Sequence, residues 1–259
     1  MIKKHKGFTL AEVLITLAII GVAAALALPA ITTNIQTAKT GPALSKFVNT
    51  FTLATKIMMS EHYLSQLNDN IYTDIVHLED QIDMRPYAQS YIFYAGDKKS
   101  STTLTTDASA KANLDRLKAS MEDADDDTKE NIAKQMSNTI VLYKQKDNSI
   151  IAIVPVPNPS ILSDKGQYKG IVAEVLIDID GDKSRNTAGR DVFAFLLDKS
   201  GALIPASSET HAYVETSGGR FITSYVDNCN ISSNSLNNNF ACTGKIADNG
   251  YNAKTIKWK

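Results

Sequence analysis

Asp178, Asp180 and Asp182 occupy alternate positions of a stretch that continues through Asn186 to Asp191. Carboxylates so spaced on a short loop can converge on one hard cation, and calcium takes several oxygen ligands. Asp178, Asp180, Asp182, Asn186 and Asp191 are therefore the candidate ligands of a calcium site. The helix-loop-helix calcium template fits badly. Counted from Asp178, its sixth position is Lys183 where glycine is required and its twelfth is Gly189; counted from Asp180, the twelfth is Asp191 but the sixth is Arg185. The other reading is a connection between strands in which the aspartates cap turns and pair with Lys183, Arg185 and Arg190. The only cysteines, Cys229 and Cys242, flank an Asn/Ser-rich run from Asn230 to Asn239. In an oxidising compartment they would form a disulfide, which stabilises a fold by roughly 3 kcal/mol for a loop of this size. Two free thiols are the alternative. A metal site is disfavoured, because the nearest histidine is His211 and no Cys-x-x-Cys spacing occurs. His62 and His77, near Glu79 and Asp80, admit a metal or catalytic reading, but histidines scattered beside acids are more often surface pairs. No Gly-x-Ser-x-Gly, His-Glu-x-x-His or phosphate-loop pattern is present.

The remaining chemically pointed residue is Glu12. It stands in an apolar run that ends near Ile31, broken only by Glu12 and Thr16 and preceded by Lys3-Lys4-His5-Lys6. About 20 such residues span the ~30 Å hydrocarbon layer at 1.5 Å per residue. The lysines hold their flank in the cytoplasm, so everything after Ile31 is expected to be exported. A carboxylate in such a span costs on the order of 2.5 to 3.5 kcal/mol, which marks Glu12 as a functional candidate in need of a partner. Alternatively it serves the headgroup edge or the helix N-terminus.

Gly7-Phe8-Thr9-Leu10-Ala11-Glu12-Val13-Leu14-Ile15-Thr16-Leu17-Ala18-Ile19-Ile20-Gly21 resembles the leader of type IV pilins and type II secretion pseudopilins. The resemblance implies that prepilin peptidase cuts after Gly7 and methylates the new amine of Phe8. It also implies that Pro29 is the helix-kinking proline common in that family. The implied product is a structural filament subunit and not an enzyme. It needs no cofactor, and its partners are the peptidase, other pilin or pseudopilin subunits, the inner-membrane assembly machinery and, before assembly, the bilayer. Glu12 of one subunit would then pair with the Phe8 amine of the next, because an unpaired buried charge is far costlier than a paired one. A C-terminal disulfide at the filament surface agrees with the family. The acidic loop also resembles one found in prepilin-type heads, and calcium is used elsewhere in pseudopilin heads. Two competitors remain open. Ala25-Leu26-Ala27 could be a conventional signal-peptidase site that releases a soluble protein starting near Leu28. Or the helix could merely tether an exported enzyme or ligand-binding module.

Removal of Lys3, Lys4 and Lys6 takes the net charge from −1 to −4, and no clustered basic face argues for a nucleic-acid grip. The domain plan is a leader over 1–7, a transmembrane or filament-core helix over 8–31, an amphipathic helix over 32–60, and one globular head over 61–259 closed by the 229–242 loop. Pro29 and Gly41-Pro42 are weak points of the helix. Leu44, Phe47, Val48, Phe51, Ala54 and Met58 recur at i, i+3, i+4 and i+7, so this half needs a sheet to lie on. Tyr87, Tyr91, Phe93 and Tyr94 form an aromatic patch whose second half alternates like a strand, whereas Ser100 to Ser137 reads as a polar insertion with helix faces and turns. Strands are expected over Thr139–Tyr143, Ser149–Val154, Tyr168–Ile179, Asp191–Leu197, Leu203–Ile204 and Phe221–Val226. The expected class is α+β: one long N-terminal helix, membrane-spanning then amphipathic, packed on an antiparallel sheet. Its final location is the inner membrane, with the head in the periplasm or outside, and then a filament. The size of the head suits a minor pilin or pseudopilin.

Overall fold

The computed structural model of the chain describes residues 8–67, 74, 77–78, 81–82, 84–86, 90–95, 100–105, 141–155, 170–181, 186–206, 229–232 and 239–256. One helix, α1, runs from Leu10 to Glu61, 52 residues in all, or about 78 Å at 1.5 Å per residue. It continues through Pro29 and Gly41-Pro42 as one element, so neither pair ends it. Gly41 has a different purpose from the weak point its sequence suggests. A Cβ there would lie 1.9 Å from the carbonyl oxygen of Tyr251, so the missing side chain admits the C-terminal segment onto the helix.

From Thr40 onward the buried positions of α1 are Thr40, Gly41, Leu44, Phe47, Phe51, Ala54, Thr55, Met58 and Met59, the one-sided pattern that the spacing predicts. They face an antiparallel sheet. Its strands are β1 (Arg85–Pro86), β4 (Val141–Lys144), β5 (Ile150–Pro155), β6 (Ile171–Asp178), β7 (Val192–Asp198) and β8 (Leu203–Pro205), in the spatial order β1-β4-β5-β6-β7-β8. From β4 to β8 this is a meander, in which β-branched and aromatic runs are separated by turns. Gly201, at φ 79°, closes the β7–β8 turn against Thr55 and Met59 of α1. A separate hairpin pairs β2 (Ser90–Ala95) with β3 (Ser100–Thr105). The strand β3 corrects the helical reading of that polar stretch. Its Ser and Thr residues hydrogen-bond in full register to β2, and pairing with a partner strand outweighs their weak apolar signal. The expected strand over 221–226 and the acidic run over 122–127 lie outside the described residues.

Side chains alternate between two cores. Tyr143, Ile151, Ile153, Val175, Ile177, Phe193 and Phe195 point to the α1 face, with Leu44, Phe47, Phe51 and Met58. Leu142, Ile150, Ala152, Val154, Leu176, Val192 and Ala194 point to the opposite face, with Tyr91 of β2 and Phe240 and Ala241. Every residue of β6 is buried. The sheet is thus covered on both sides, where an antiparallel sheet commonly leaves one face wet. The C-terminal segment serves both faces: Phe240 and Ala241 lie in the second cover, whereas the short helix α2 (Cys242–Asp248) and the 3-10 turn (Ala253–Thr255) bring Cys242, Ile246, Ala253 and Ile256 into the core on the α1 face. Cys229 and Cys242 are joined in a disulfide.

Candidate functional site

Two places concentrate the chemistry that the sequence offers, the start of α1 and the acidic loop after β6. At the first, Phe8 is almost fully exposed and Gly7 lies outside the described residues. Thr9 is the N-cap of α1, and it forms a reciprocal capping box with Glu12. The Thr9 amide and hydroxyl each donate to Glu12 Oε2 at 2.8 Å, and the Glu12 amide donates to Thr9 Oγ1 at 3.3 Å. The expected partner of Glu12 was the Phe8 amine of another subunit; within one chain the carboxylate is held one residue away, over the helix N-terminus. Both capping bonds use a single oxygen. From Leu10 to Leu28 the helix is long and apolar enough to cross a membrane, and none of that span is buried in the chain.

At the second place, Asp178 ends β6 and is buried. It accepts from Tyr91 Oη at 2.6 Å and from the amides of Asp180 and Gly181 at 3.1 and 2.9 Å. Asp191 is buried just before β7 and accepts from the Thr187 amide. Burial pushes the Asp178 carboxyl up to about 7, against the pull of the Tyr91 hydroxyl, and pushes Asp191 up to about 8, against the Thr187 amide. Burial and the facing Asp178 raise Tyr91 as well. The loop then zips onto the hairpin: the Tyr94 amide donates to the Asn186 carbonyl, the Ala188 amide to the Tyr94 carbonyl, and Asn186 Nδ2 to the Ile92 carbonyl. Two glycines allow further backbone contact. A Cβ on Gly181 would meet the Asn148 carbonyl oxygen at 2.1 Å, and one on Gly189 would meet that of Asn239 at 2.2 Å.

The loop therefore joins the hairpin, the β4–β5 turn and the C-terminal segment to the end of the central strands β6 and β7. Its aspartates cap turns, as the second sequence reading has it. Asp182 lies outside the described residues, and among the described residues no group of three or more His, Cys, Asp or Glu side chains is arranged to hold a metal ion. Tyr91 is the residue that sequence reasoning missed; its only signal was membership of an aromatic patch, 87 residues from Asp178. His62 and His77 meet each other, with ring centroids 3.7 Å apart. An open cleft of about 620 Å³ between α1 and the β4–β5 turn carries the Lys46–Asp147 ion pair at 3.3 Å. Among the described residues its lining has no imidazole beside Thr50 or Ser149.

Residues 2–28 match the family model described as the prokaryotic N-terminal methylation motif. This is the signature of type IV pilins and pseudopilins, and it implies processing by prepilin peptidase. It ends where the membrane-length part of α1 ends, so the head lies beyond the match. Compared with curated proteins and with solved structures, the chain finds no match.

Proposed function

We propose that the protein is a filament subunit, a minor pilin or pseudopilin of a type IV pilus or type II secretion filament, cut between Gly7 and Phe8 and assembled through α1. The observation that carries this reading is an apolar helix of membrane length, left bare by its own head, that opens on a capped acid inside the methylation motif. Before assembly the bilayer covers that helix, with the head on the exported side. In the filament, copies of α1 from neighbouring subunits replace the lipid. Exposure continues past the span at Ile31, Ile35, Leu53 and Ile57, which extends the apolar surface available to neighbours. Cutting after Gly7 turns the Phe8 nitrogen into an α-ammonium beside the Glu12 carboxylate. Thr9 occupies Oε2, so Oε1 is the oxygen offered to the amine of the next subunit. That pairing makes a costly buried acid into a register mark.

The test has two parts. Mass spectrometry of the mature chain should find methylated Phe8 at its start; an intact Met1 or a start near Leu28 would overturn the reading. Glu12→Gln and Glu12→Leu should leave the chain processed and membrane-bound while recovery of sheared fibres falls by more than about tenfold, the loss of one buried charged partner being worth about 3 to 5 kcal/mol. Wild-type recovery in either variant would remove the pairing role.

A further inference from the structure

We propose that the Thr9 hydroxyl is a positioning group for the cut after Gly7: by capping α1 at Thr9 it keeps the helix from growing back over the bond to be broken. The inference rests on the filament-subunit reading, which brings prepilin peptidase to that bond. A helix grows toward its N-terminus by pairing each carbonyl with the amide four residues on, so Phe8 would join α1 if its carbonyl took the Glu12 amide. That amide donates instead to Thr9 Oγ1, at 3.3 Å. The Thr9 amide is engaged as well, donating to Glu12 Oε2 at 2.8 Å. The ladder therefore opens on the Thr9 carbonyl, which accepts from the Val13 amide at 3.2 Å. Thr9 itself is extended, at φ −77° and ψ 153°, and Phe8 stands ahead of the helix, 88 % exposed.

The sequence offers α1 a rival start. Glycine is by type about as good an N-cap as threonine, and an N-cap carbonyl accepts the first bond of the ladder. A helix capped at Gly7 would thus tie the Gly7 carbonyl to the Ala11 amide. That carbonyl is the one hydrolysis must reach. Water adds to its carbon, the C–N bond to Phe8 breaks, the Phe8 nitrogen leaves with a proton as the amine, and Gly7 keeps the carboxylate. A carbonyl already inside a helical turn is screened by the turn and must first give up its bond. Thr9 decides between the two starts, because its reciprocal bonds with Glu12 are ones Gly7 cannot match: three residues after Gly7 stands Leu10, with no side-chain oxygen. The two capping residues divide the work, the Thr9 hydroxyl serving the cut and the Glu12 charge serving assembly.

The experiment uses the full uncut chain in detergent micelles, with purified prepilin peptidase and the variants Thr9→Val and Thr9→Ser. Valine keeps the shape of threonine and lacks the hydroxyl; serine restores it. The initial rate of cutting should fall about fivefold in Thr9→Val, the factor equivalent to the ~1 kcal/mol of an N-cap side chain, and return close to wild type in Thr9→Ser. A direct contact of the hydroxyl with the peptidase would also slow the cut, so the uncut chain is read without enzyme. Backbone carbon chemical shifts of Phe8 should be extended in wild type and Thr9→Ser and turn helical in Thr9→Val. Equal initial rates in wild type and Thr9→Val, or Phe8 shifts that stay extended in Thr9→Val, would overturn the proposal. A wild-type chain left uncut by the peptidase would instead remove the filament reading, and this inference with it, whatever the shifts show.

Discussion

The two halves of α1 are built from similar residues and treated in opposite ways. In the first, Leu14, Leu17, Ile19, Ile20 and Leu26 are each more than half exposed; in the second, Leu44, Phe51 and Met58 are at 0 to 1 %. Both carry large apolar side chains, but among the described residues only Leu10–Leu28 is apolar enough to cross a membrane, whereas Lys46, Asn49, Lys56 and Glu61 interrupt the second half. Spacing then sets the faces. The first half is apolar all round, which no single sheet face could cover, and the second carries one stripe that fits one sheet face. The partner of the second half is thus inside the chain, whereas the described residues leave the first uncovered, as the proposed bilayer and filament contacts require. Truncation breaks this symmetry most sharply. Phe51→Ala should lower the unfolding free energy of the head by about 3 to 5 kcal/mol, read from urea denaturation in detergent. Leu17→Ala should leave that value unchanged and weaken only membrane insertion, by about 0.5 kcal/mol on insertion scales. Equal effects of the two substitutions on the head would refute the division.

The boundary between the halves is set by the C-terminal segment, which closes over α1 at Gly41 and is itself tied by the Cys229–Cys242 bridge. Reducing the bridge should cost the head roughly 3 kcal/mol in the chain-entropy account, with no change in membrane partition. Gly41→Ala should cost less, about 1 to 3 kcal/mol, because the Tyr251 carbonyl must retreat from the new Cβ. A Gly41→Ala chain of unchanged stability would mean that the C-terminal segment does not seat on the helix, and that the boundary is set by the sheet alone.

Much of this division was legible in the sequence, because the first half of α1 announces itself by unbroken apolar length and the second by period, and the strands of the meander are bounded by turns. The rest depends on contacts that no local pattern encodes. Ser100–Thr105 has almost no apolar signal and is a strand only because Ser90–Ala95 pairs with it. Helix α2 is short, contains Gly244 and begins at a bridged cysteine, so propensity alone would not place it. His62 and His77 were each near acids in sequence, and only folding sets one ring on the other. The acidic loop was visible as a cluster of carboxylates, whereas its role as a junction rests on Tyr91 and on two glycines pressed against distant carbonyls.

That loop supplies the smallest effect, and one confined to the head. Asp178 and Asp191 have folded-state values near 7 and 8, against about 3.9 for an unfolded aspartate. Between about pH 4 and 8 the folded chain therefore holds more protons than the unfolded one. Stability must fall as pH rises through this window and level off above it. The neighbouring Asp178 raises Asp191 further, and the expected loss is at least the about 1.4 kcal/mol that one pKa unit represents. Urea midpoints at pH 5 and pH 8.5 measure it, and Tyr91→Phe, which removes the bond to Asp178, should steepen the slope because the charged carboxylate loses a donor. Calcium separates the two readings of the loop. An ion held by Asp178, Asp180 and Asp191 would favour their charged forms and reverse the slope, whereas aspartates that cap turns leave it falling with or without calcium.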